Sequence, residues 1–197
     1  MSPEKPASAR KNLLALAVLA YLSQAPMHPY ELSKTLRAHG DDRSIKFTHG
    51  SLYMVVQQLE KAGLVAPQET TRDGQRPERT VYGITPDGRA ELRAWLEDLV
   101  GTPRHEFPAF GSALSLISAL HPDVVVGLLR QRLIGLREQC AAATALVDGP
   151  APHPLFLIEE VYRQGLLDAE ITFVEGFIEQ ITDPVDGWRP MWASYYE

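Results

Sequence analysis

The chain has 197 residues, of which 45% are hydrophobic and 22% charged, as in an ordinary globular protein of one or two domains. Its single cysteine, Cys140, excludes an internal disulfide and a cysteine-rich metal site, and fits a reducing compartment. Residues 1–100 contain 13 Lys and Arg against 12 Asp and Glu, whereas residues 101–197 contain 6 against 13. The net charge of −6 therefore lies in the C-terminal half, and the N-terminal half can present basic patches to a polyanion.

The start of the chain predicts neither a secretion signal nor a membrane span. Residues 1–10 are polar and predict a disordered arm without the apolar core of a signal peptide. The longest apolar run, Leu13 to Leu22, is far shorter than the roughly 20 residues that cross a bilayer. We therefore expect a buried helix here, no membrane partner and a cytoplasmic location.

Three helices with short connections are predicted next. Pro29 suits the first position of the second helix, which extends to about Ala38 with Leu32 and Leu36 on its inner side. The third helix lies within the stretch His49–Val65. The order so far is that of a small helical domain.

The third helix has one apolar and one polar face. Its apolar stripe has the spacing i, i+3, i+4, i+7 and consists of Leu52, Val55, Val56 and Leu59. Thr48 can cap its first turn and Gly63 can end it. The other side carries Gly50, Ser51, Tyr53, Met54, Gln57, Gln58 and Lys61. Such a face suits a helix in a DNA major groove, but an ordinary surface helix has it as well.

A β-hairpin and a fourth helix follow. Leu64–Thr71 and Thr80–Ile84 read as two strands that pair across a turn-rich loop containing Asp-Gly. The hairpin tip carries the cations Arg72, Arg76 and Arg79. Thr85 and Pro86 begin a helix to about Val100, whose predicted stripe is Leu92, Leu96 and Leu99 with Trp95 beside it.

Helix, helix, helix, basic hairpin, helix is the order of a winged helix-turn-helix, and its residues resemble the PadR family of transcriptional regulators. The matching segments are Tyr30-Glu31-Leu32, Gly50-x-Leu52-Tyr53, Leu59-Glu60, Gly63-Leu64-Val65 and Arg79-x-x-Tyr82-x-Ile84-Thr85-x-x-Gly88. They cover about residues 10–100. Members often have Pro where this chain has Met54, and Met is compatible with a helix. The resemblance implies binding to double-stranded DNA and a response to small aromatic compounds.

The predicted DNA contacts lie on the third helix, before it and on the hairpin. Gln57 and Gln58 can reach base edges, since Gln pairs bidentately with adenine, and Met54 can meet a thymine methyl. Gly50 allows a close approach to the DNA backbone. The full predicted set is Lys46, Thr48, Gly50, Ser51, Tyr53, Met54, Gln57, Gln58, Lys61, Arg72, Arg76 and Arg79. Arg79 has a structural alternative, as part of the wing strand.

The C-terminal half reads as all helix. We expect a short helix over Phe110–Leu120, a long one over Pro122–Val147 and a third from Leu155 to about Thr182. The last has two apolar stripes, which need cover on two sides, so a second copy of the chain is the expected partner. The predicted organisation is a disordered arm at 1–10, a winged helix-turn-helix at 11–101 and a helical dimerisation and effector domain at 102–197.

Aromatic residues suggest where a small aromatic effector would bind. The candidates are Tyr30, His49, Trp95, Phe107, Phe110, Tyr162 and Phe173, for each of which core packing is the alternative. His49 is expected on the inner side of its helix. The aromatic end of the chain, Trp188 to Tyr196, is expected to dock on its own chain or on the partner.

The function predicted from these features is a homodimeric repressor that binds a palindromic operator and is released by a small molecule. No cofactor or metal is expected, because the six histidines have no metal-ligand spacing, and no catalytic constellation indicates an enzyme. Two alternatives stay open. One is a winged-helix module for protein–protein interaction without DNA binding, and the other is a redox sensor acting through Cys140.

Overall fold

A computed structural model describes residues 12–71, 79–149 and 153–197. The chain divides into two compact units, one ending at His105 and the other beginning at Glu106. The fold class predicted from the sequence is confirmed: helices dominate, with one antiparallel two-stranded hairpin. Over the described ranges, no helix is both long and apolar enough to cross a membrane.

The N-terminal unit consists of four helices and the hairpin. Its elements are α1 (Leu13–Gln24), α2 (Pro29–His39), α3 (His49–Lys61), β1 (Val65–Thr71), β2 (Arg79–Ile84) and α4 (Pro86–Gly101). Asn12 caps α1, His28 caps α2, Thr48 caps α3 and Thr85 caps α4, each through its side chain. The predicted order of elements is therefore confirmed.

The core of this unit forms around α1, which is buried on most sides. The stripe of α3 packs against it as predicted, with Leu52 fully buried and Val55, Val56 and Leu59 nearly so. The predicted stripe of α4 was wrong in one respect: Trp95 is buried, with 1% of its surface exposed, whereas Leu96 is 42% exposed. The reason is that α4 faces the core with the side defined by Gly88 and Trp95.

The hairpin is joined to α3 and α4 through a short set of contacts. The hydroxyl of Thr85 donates to the carbonyl of Gly63 at 2.7 Å, and the N–H of Thr85 donates to the carbonyl of Leu64 at 3.0 Å. Gly63 ends α3 with a φ of 72°, which a residue with a side chain rarely adopts. A Cβ on Gly88 would lie 2.0 Å from the carbonyl oxygen of Leu64. These glycines therefore permit the close approach of the two helices.

The C-terminal unit is a helical hairpin with short flanking elements. Its helices are α5 (Ala109–Ser115), α6 (Pro122–Val147), α7 (Ile158–Thr182) and α8 (Arg189–Ala193). The short predicted helix ends earlier than expected, because Leu116 leaves the helical conformation before a 3₁₀ turn at Ile117–Ala119. Similarly, Pro154–Leu157 forms a 3₁₀ turn and α7 begins only at Ile158.

Polar contacts cross between α6 and α7 at four levels. Arg132 pairs with Glu170 and Arg137 pairs with Glu175 at 2.6 Å. The thiol of Cys140 donates to Asp168 at 3.2 Å, and the amide of Gln164 donates to the hydroxyl of Thr144 at 2.8 Å. These four contacts flank the apolar layer formed by Val125, Leu129, Leu133, Leu136, Leu167, Val174 and Ile181.

The aromatic end of the chain docks on its own unit. The sequence predicted docking either on the same chain or on a partner, and the structure shows the first. Trp192 is 5% exposed and packs into the α6–α7 core. The hydroxyl of Tyr196 donates to the carbonyl of Ser118 at 2.6 Å, and Arg189 pairs with Asp123 at 2.7 Å. The end of the chain is therefore part of this unit's structure.

The contact at Gly88 gives a prediction about stability. Gly88→Ala should lower the free energy of unfolding by about 1–3 kcal/mol, because the new methyl group meets a backbone carbonyl that cannot move aside cheaply. The measurement is urea denaturation followed by far-UV circular dichroism. Gly101→Ala is the control, since nothing lies within 4 Å of a Cβ at that end of α4. Equal stability of the two variants would contradict the proposed close contact.

Candidate functional site

The exposed face of α3 carries most of the predicted DNA contacts. Met54 is 61% exposed and Tyr53 is 39% exposed, and both Gln57 and Gln58 are exposed. Lys61 is the last residue of the helix, where its positive charge interacts favourably with the helix dipole. The buried stripe on the opposite side fixes the rotation of the helix, so these side chains face solvent together.

The first turn of α3 is held by a reciprocal cap. The hydroxyl of Thr48 accepts the N–H of Ser51 at 3.1 Å, and the hydroxyl of Ser51 accepts the N–H of Thr48 at 2.8 Å. The structure thus uses the side chains of Thr48 and Ser51, both among the predicted DNA contacts, to start the helix. Gly50 between them is exposed, and a Cβ there would meet only the Thr48 hydroxyl, at 3.9 Å. This position is open to an approaching molecule.

Four rings lie beside this first turn. Tyr30 stacks on His49 with 5.9 Å between ring centroids and 4° between planes, and His28 meets Tyr53 edge-on at 6.1 Å. The prediction that His49 faces inward was wrong: the side chain is exposed. As the first residue of α3 it lies beyond the buried stripe and finds its neighbour at the start of α2 instead.

Sequence reasoning missed His28 as part of this surface. Its Nδ1 accepts the N–H of Tyr30 at 3.1 Å and so begins α2, which places Tyr30 against His49. The signal was available, because His-Pro occurs three times in the chain and each histidine caps the element that follows. The other two are His121, before α6, and His153, before the turn at 154–157.

The predicted cations are only partly described. Lys46, on the approach to α3, and Lys61 are exposed. Arg79 opens β2, where it pairs in register with Thr71. Arg72 and Arg76 lie outside the described residues.

The candidate effector residues have very different surroundings. Trp95 belongs to the core of the N-terminal unit, and its indole N–H has no hydrogen-bond partner among the described residues. In the C-terminal unit, Phe107 is 83% exposed and Tyr162 is 69% exposed. Phe110 meets Phe173 edge-on at 6.4 Å. The structure therefore brings together two of the candidates within this unit.

Phe110 is also in contact with a cation. The guanidinium carbon of Arg132 lies 3.6 Å from the centre of the Phe110 ring, while its Nε donates to Glu170 at 2.6 Å. Arg132 therefore contacts the ring of Phe110 and the carboxylate of Glu170 at the same time. Phe110 is thus already engaged by its own chain, and the accessible ring of the pair is Phe173, which is 50% exposed.

Cys140 is held in its thiol form by its surroundings. The hydrogen bond to Asp168 is the main cause of a raised pKa of the thiol, and burial and the charge of Asp168 act in the same direction. A thiolate is the reactive form of cysteine, so this environment disfavours redox sensing. Among the residues that the structure describes, no group of three or more His, Cys, Asp or Glu could hold a metal ion.

Known proteins are similar to this chain in sequence and in fold. Residues 18–94 match the transcriptional regulator PadR-like family. The chain is also similar to a probable transcriptional regulator of Mycobacterium tuberculosis. The two are 32% identical over 103 residues, and this alignment covers 50% of this chain and 50% of that protein. The match thus spans about half the length of this curated relative.

Two solved structures of Bacillus subtilis PadR share the fold. The complex with operator DNA has a TM-score of 0.64 at 18% identity and covers 85% of this chain and 98% of that chain. The complex with p-coumaric acid has a TM-score of 0.66 at 16% identity and covers 90% and 97%. Together with the capped, polar-faced α3 and the hairpin, these matches define a winged helix-turn-helix protein with a helical extension. Over residues 18–94 the chain is similar to the PadR-like family of transcriptional regulators.

The environment of Cys140 predicts how its reactivity depends on pH. Alkylation by iodoacetamide should be slower at pH 8 than for a free cysteine, because a raised pKa leaves less thiolate, and should rise as the pH approaches that pKa. Asp168→Asn should lower the pKa and speed alkylation at pH 8, as followed by mass spectrometry. Glu175→Gln is the control, since this carboxylate contacts Arg137 instead. Equal rates in wild-type and Asp168→Asn protein would show that Asp168 does not set the pKa.

Proposed function

We propose that this protein is a sequence-specific DNA-binding transcriptional regulator, most simply a homodimeric repressor in the cytoplasm that a small molecule releases from a palindromic operator. The observation that carries the proposal is the exposed face of α3. It presents two glutamines, a methionine and a lysine on a helix whose opposite face is locked into the core. That is the combination a recognition helix in a major groove requires.

The start of α3 is suited to the DNA backbone. Gly50 leaves space for a phosphate, and the positive end of the helix dipole lies at this turn. Tyr30 and His49 add hydroxyl and imidazole donors beside it. In this proposal the first turn positions the protein on phosphates, whereas Gln57 and Gln58 read base edges.

The proposed homodimer rests on α7 and the turn before it. Leu155, Phe156, Ile158, Val161, Tyr162 and Leu166 are each between 45% and 69% exposed in the single chain. We call these six residues the apolar face. So large an exposed apolar surface is unusual on a monomer. A second copy would cover it and hold two recognition helices roughly 34 Å apart, the spacing of adjacent major grooves on one side of DNA.

Similarity to known regulators supports the same proposal. The structures of Bacillus subtilis PadR show that protein with operator DNA and with p-coumaric acid. We extend both kinds of partner to this chain as a proposal, without the identity of the operator or of the effector. An effector would release DNA only to the extent that it binds one dimer geometry more tightly than the other.

Affinity for DNA should depend on the polar face of α3. Gln57→Ala should weaken binding to the specific operator roughly 5- to 150-fold, because a bidentate base contact contributes about 1–3 kcal/mol. Lys61→Ala should weaken specific and nonspecific binding alike and reduce the slope of log affinity against log salt by about one per subunit. The measurement is fluorescence anisotropy with duplex from the region upstream of the protein's own gene, at several salt concentrations.

Gln24→Ala is the matched control for this experiment. Gln24 is exposed at the end of α1 and is not among the predicted DNA contacts, so its loss should leave affinity unchanged. Weak binding without salt dependence would instead indicate the protein–protein interaction module. If the Gln24 and Gln57 substitutions had equal effects, α3 would not be the helix that recognises the operator sequence.

The oligomeric state should depend on the apolar face. Tyr162→Glu should convert a dimer to a monomer in sedimentation velocity, because the charge would be buried against a second copy. Ala141→Glu adds the same charge to an exposed position on α6 and should leave the dimer intact. A wild-type chain that sediments as a single copy of 21.9 kDa would contradict the dimer.

A further inference from the structure

A groove in the C-terminal unit lies between the second half of α7 and the segment that follows it. Its volume is about 710 Å³. One wall consists of three rings in sequence: Phe173 and Phe177 have centroids 6.0 Å apart, and Phe177 and Trp188 have centroids 6.1 Å apart. Phe173 is 50% exposed and Trp188 is 43% exposed, so aromatic surface faces the open space.

The turn after α7 builds this groove. The carboxylate of Asp183 accepts the N–H groups of Val185 and Asp186, both at 2.8 Å. The N–H of Trp188 then donates to the carbonyl of Gln180 at 3.0 Å, which returns the indole to the side of α7. The position of the aromatic wall is therefore set by backbone hydrogen bonds before any ligand binds.

Three of the other lining residues are acidic. Glu179, Asp183 and Asp186 line the groove, and none of its lining residues is Lys, Arg or His. The hydrogen bonds from Asp186 and Val185 lower the pKa of Asp183, so that carboxylate is charged at neutral pH. Within the described residues, neither Glu179 nor Asp186 has an ion-pair partner. The groove combines exposed aromatic surface with negative charge that has no ion-pair partner among the described residues.

We propose that this groove binds a small organic cation with a flat aromatic or quaternary ammonium group. A cation over the faces of Phe and Trp is attracted by the ring electrons, and the carboxylates add a longer-range attraction. The same carboxylates repel aromatic anions of equal size, which gives the site a preference by charge. The inference rests on the proposed function in one respect, which is that it names the chemical class of a candidate effector for the regulator.

A second copy of the chain is a poorer occupant of this groove. Residues 101–197 hold 13 Asp and Glu against 6 Lys and Arg, so another C-terminal half would bring like charge to the three carboxylates. The apolar face lies on the first half of α7 and the turn before it, whereas the groove begins at Phe173. The two surfaces can therefore serve different partners.

Binding of a matched pair of probes tests the proposal on the full-length protein without DNA. The cation is 1-methylquinolinium and the anion is 2-naphthoate, titrated by isothermal calorimetry and by tryptophan fluorescence. Trp188 is the reporter, because Trp95 and Trp192 are only 1% and 5% exposed. We expect saturable binding of the cation, accompanied by quenching that Trp188→Phe removes, and no saturable binding of the anion.

Variants then separate the aromatic from the acidic contribution. Phe177→Leu should weaken cation binding roughly 2- to 30-fold, the range of one cation–π contact. Glu179→Gln and Asp186→Asn should each weaken it as well. Glu159→Gln removes one charge from the first turn of the same helix, outside the groove, and should have no effect. Circular dichroism confirms that each variant is folded.

Three results would overturn the proposal. They are equal binding of cation and anion, no difference between Glu179→Gln and Glu159→Gln, and absence of cation binding with a Phe177→Leu variant that dissociates the dimer. The last would show that a second copy fills the groove. If the protein binds operator DNA but not the cation, the proposed cation site is wrong and the proposed function stands. If it binds the cation but not DNA, the proposed function is wrong and the cation site stands.

Discussion

The connection between the end of α3 and the start of α4 is the constraint on which the N-terminal unit depends. Thr85 reaches back to the carbonyls of Gly63 and Leu64, and Gly88 allows α4 to approach within van der Waals distance of Leu64. This contact fixes where α3 ends, where the hairpin leaves and how α4 enters the core. The orientation of α3 is therefore set in part by backbone groups just beyond its C-terminal end.

The same helix serves the core and the surface because its two faces are chemically separate. The buried stripe determines its rotation, and the Thr48–Ser51 cap determines where it starts. With both fixed, the backbone of the helix needs little further ordering on binding, which favours affinity. The cost of this arrangement is that Ser51 stabilises the helix itself, and its hydroxyl is less available to a phosphate.

The spacing of residues along the sequence predicted the features that depend on local structure. The stripe of α3, the extent of α6 and the capping by Thr48 and Thr85 all follow from local spacing, and each is confirmed. Contacts between distant segments were not accessible in this way. His49 faces Tyr30 because His28 begins α2 beside it, and the groove exists because the turn at Asp183 returns Trp188 to α7. A helical wheel shows neither neighbour, since both come from other elements.

The four cross-contacts between α6 and α7 have a mechanical consequence. A slide of one helix along the other by a single turn, about 5.4 Å, would break the contacts of Arg132, Arg137, Cys140 and Gln164 at once. The four contacts therefore oppose sliding of α6 along α7 and favour a single register of the two helices.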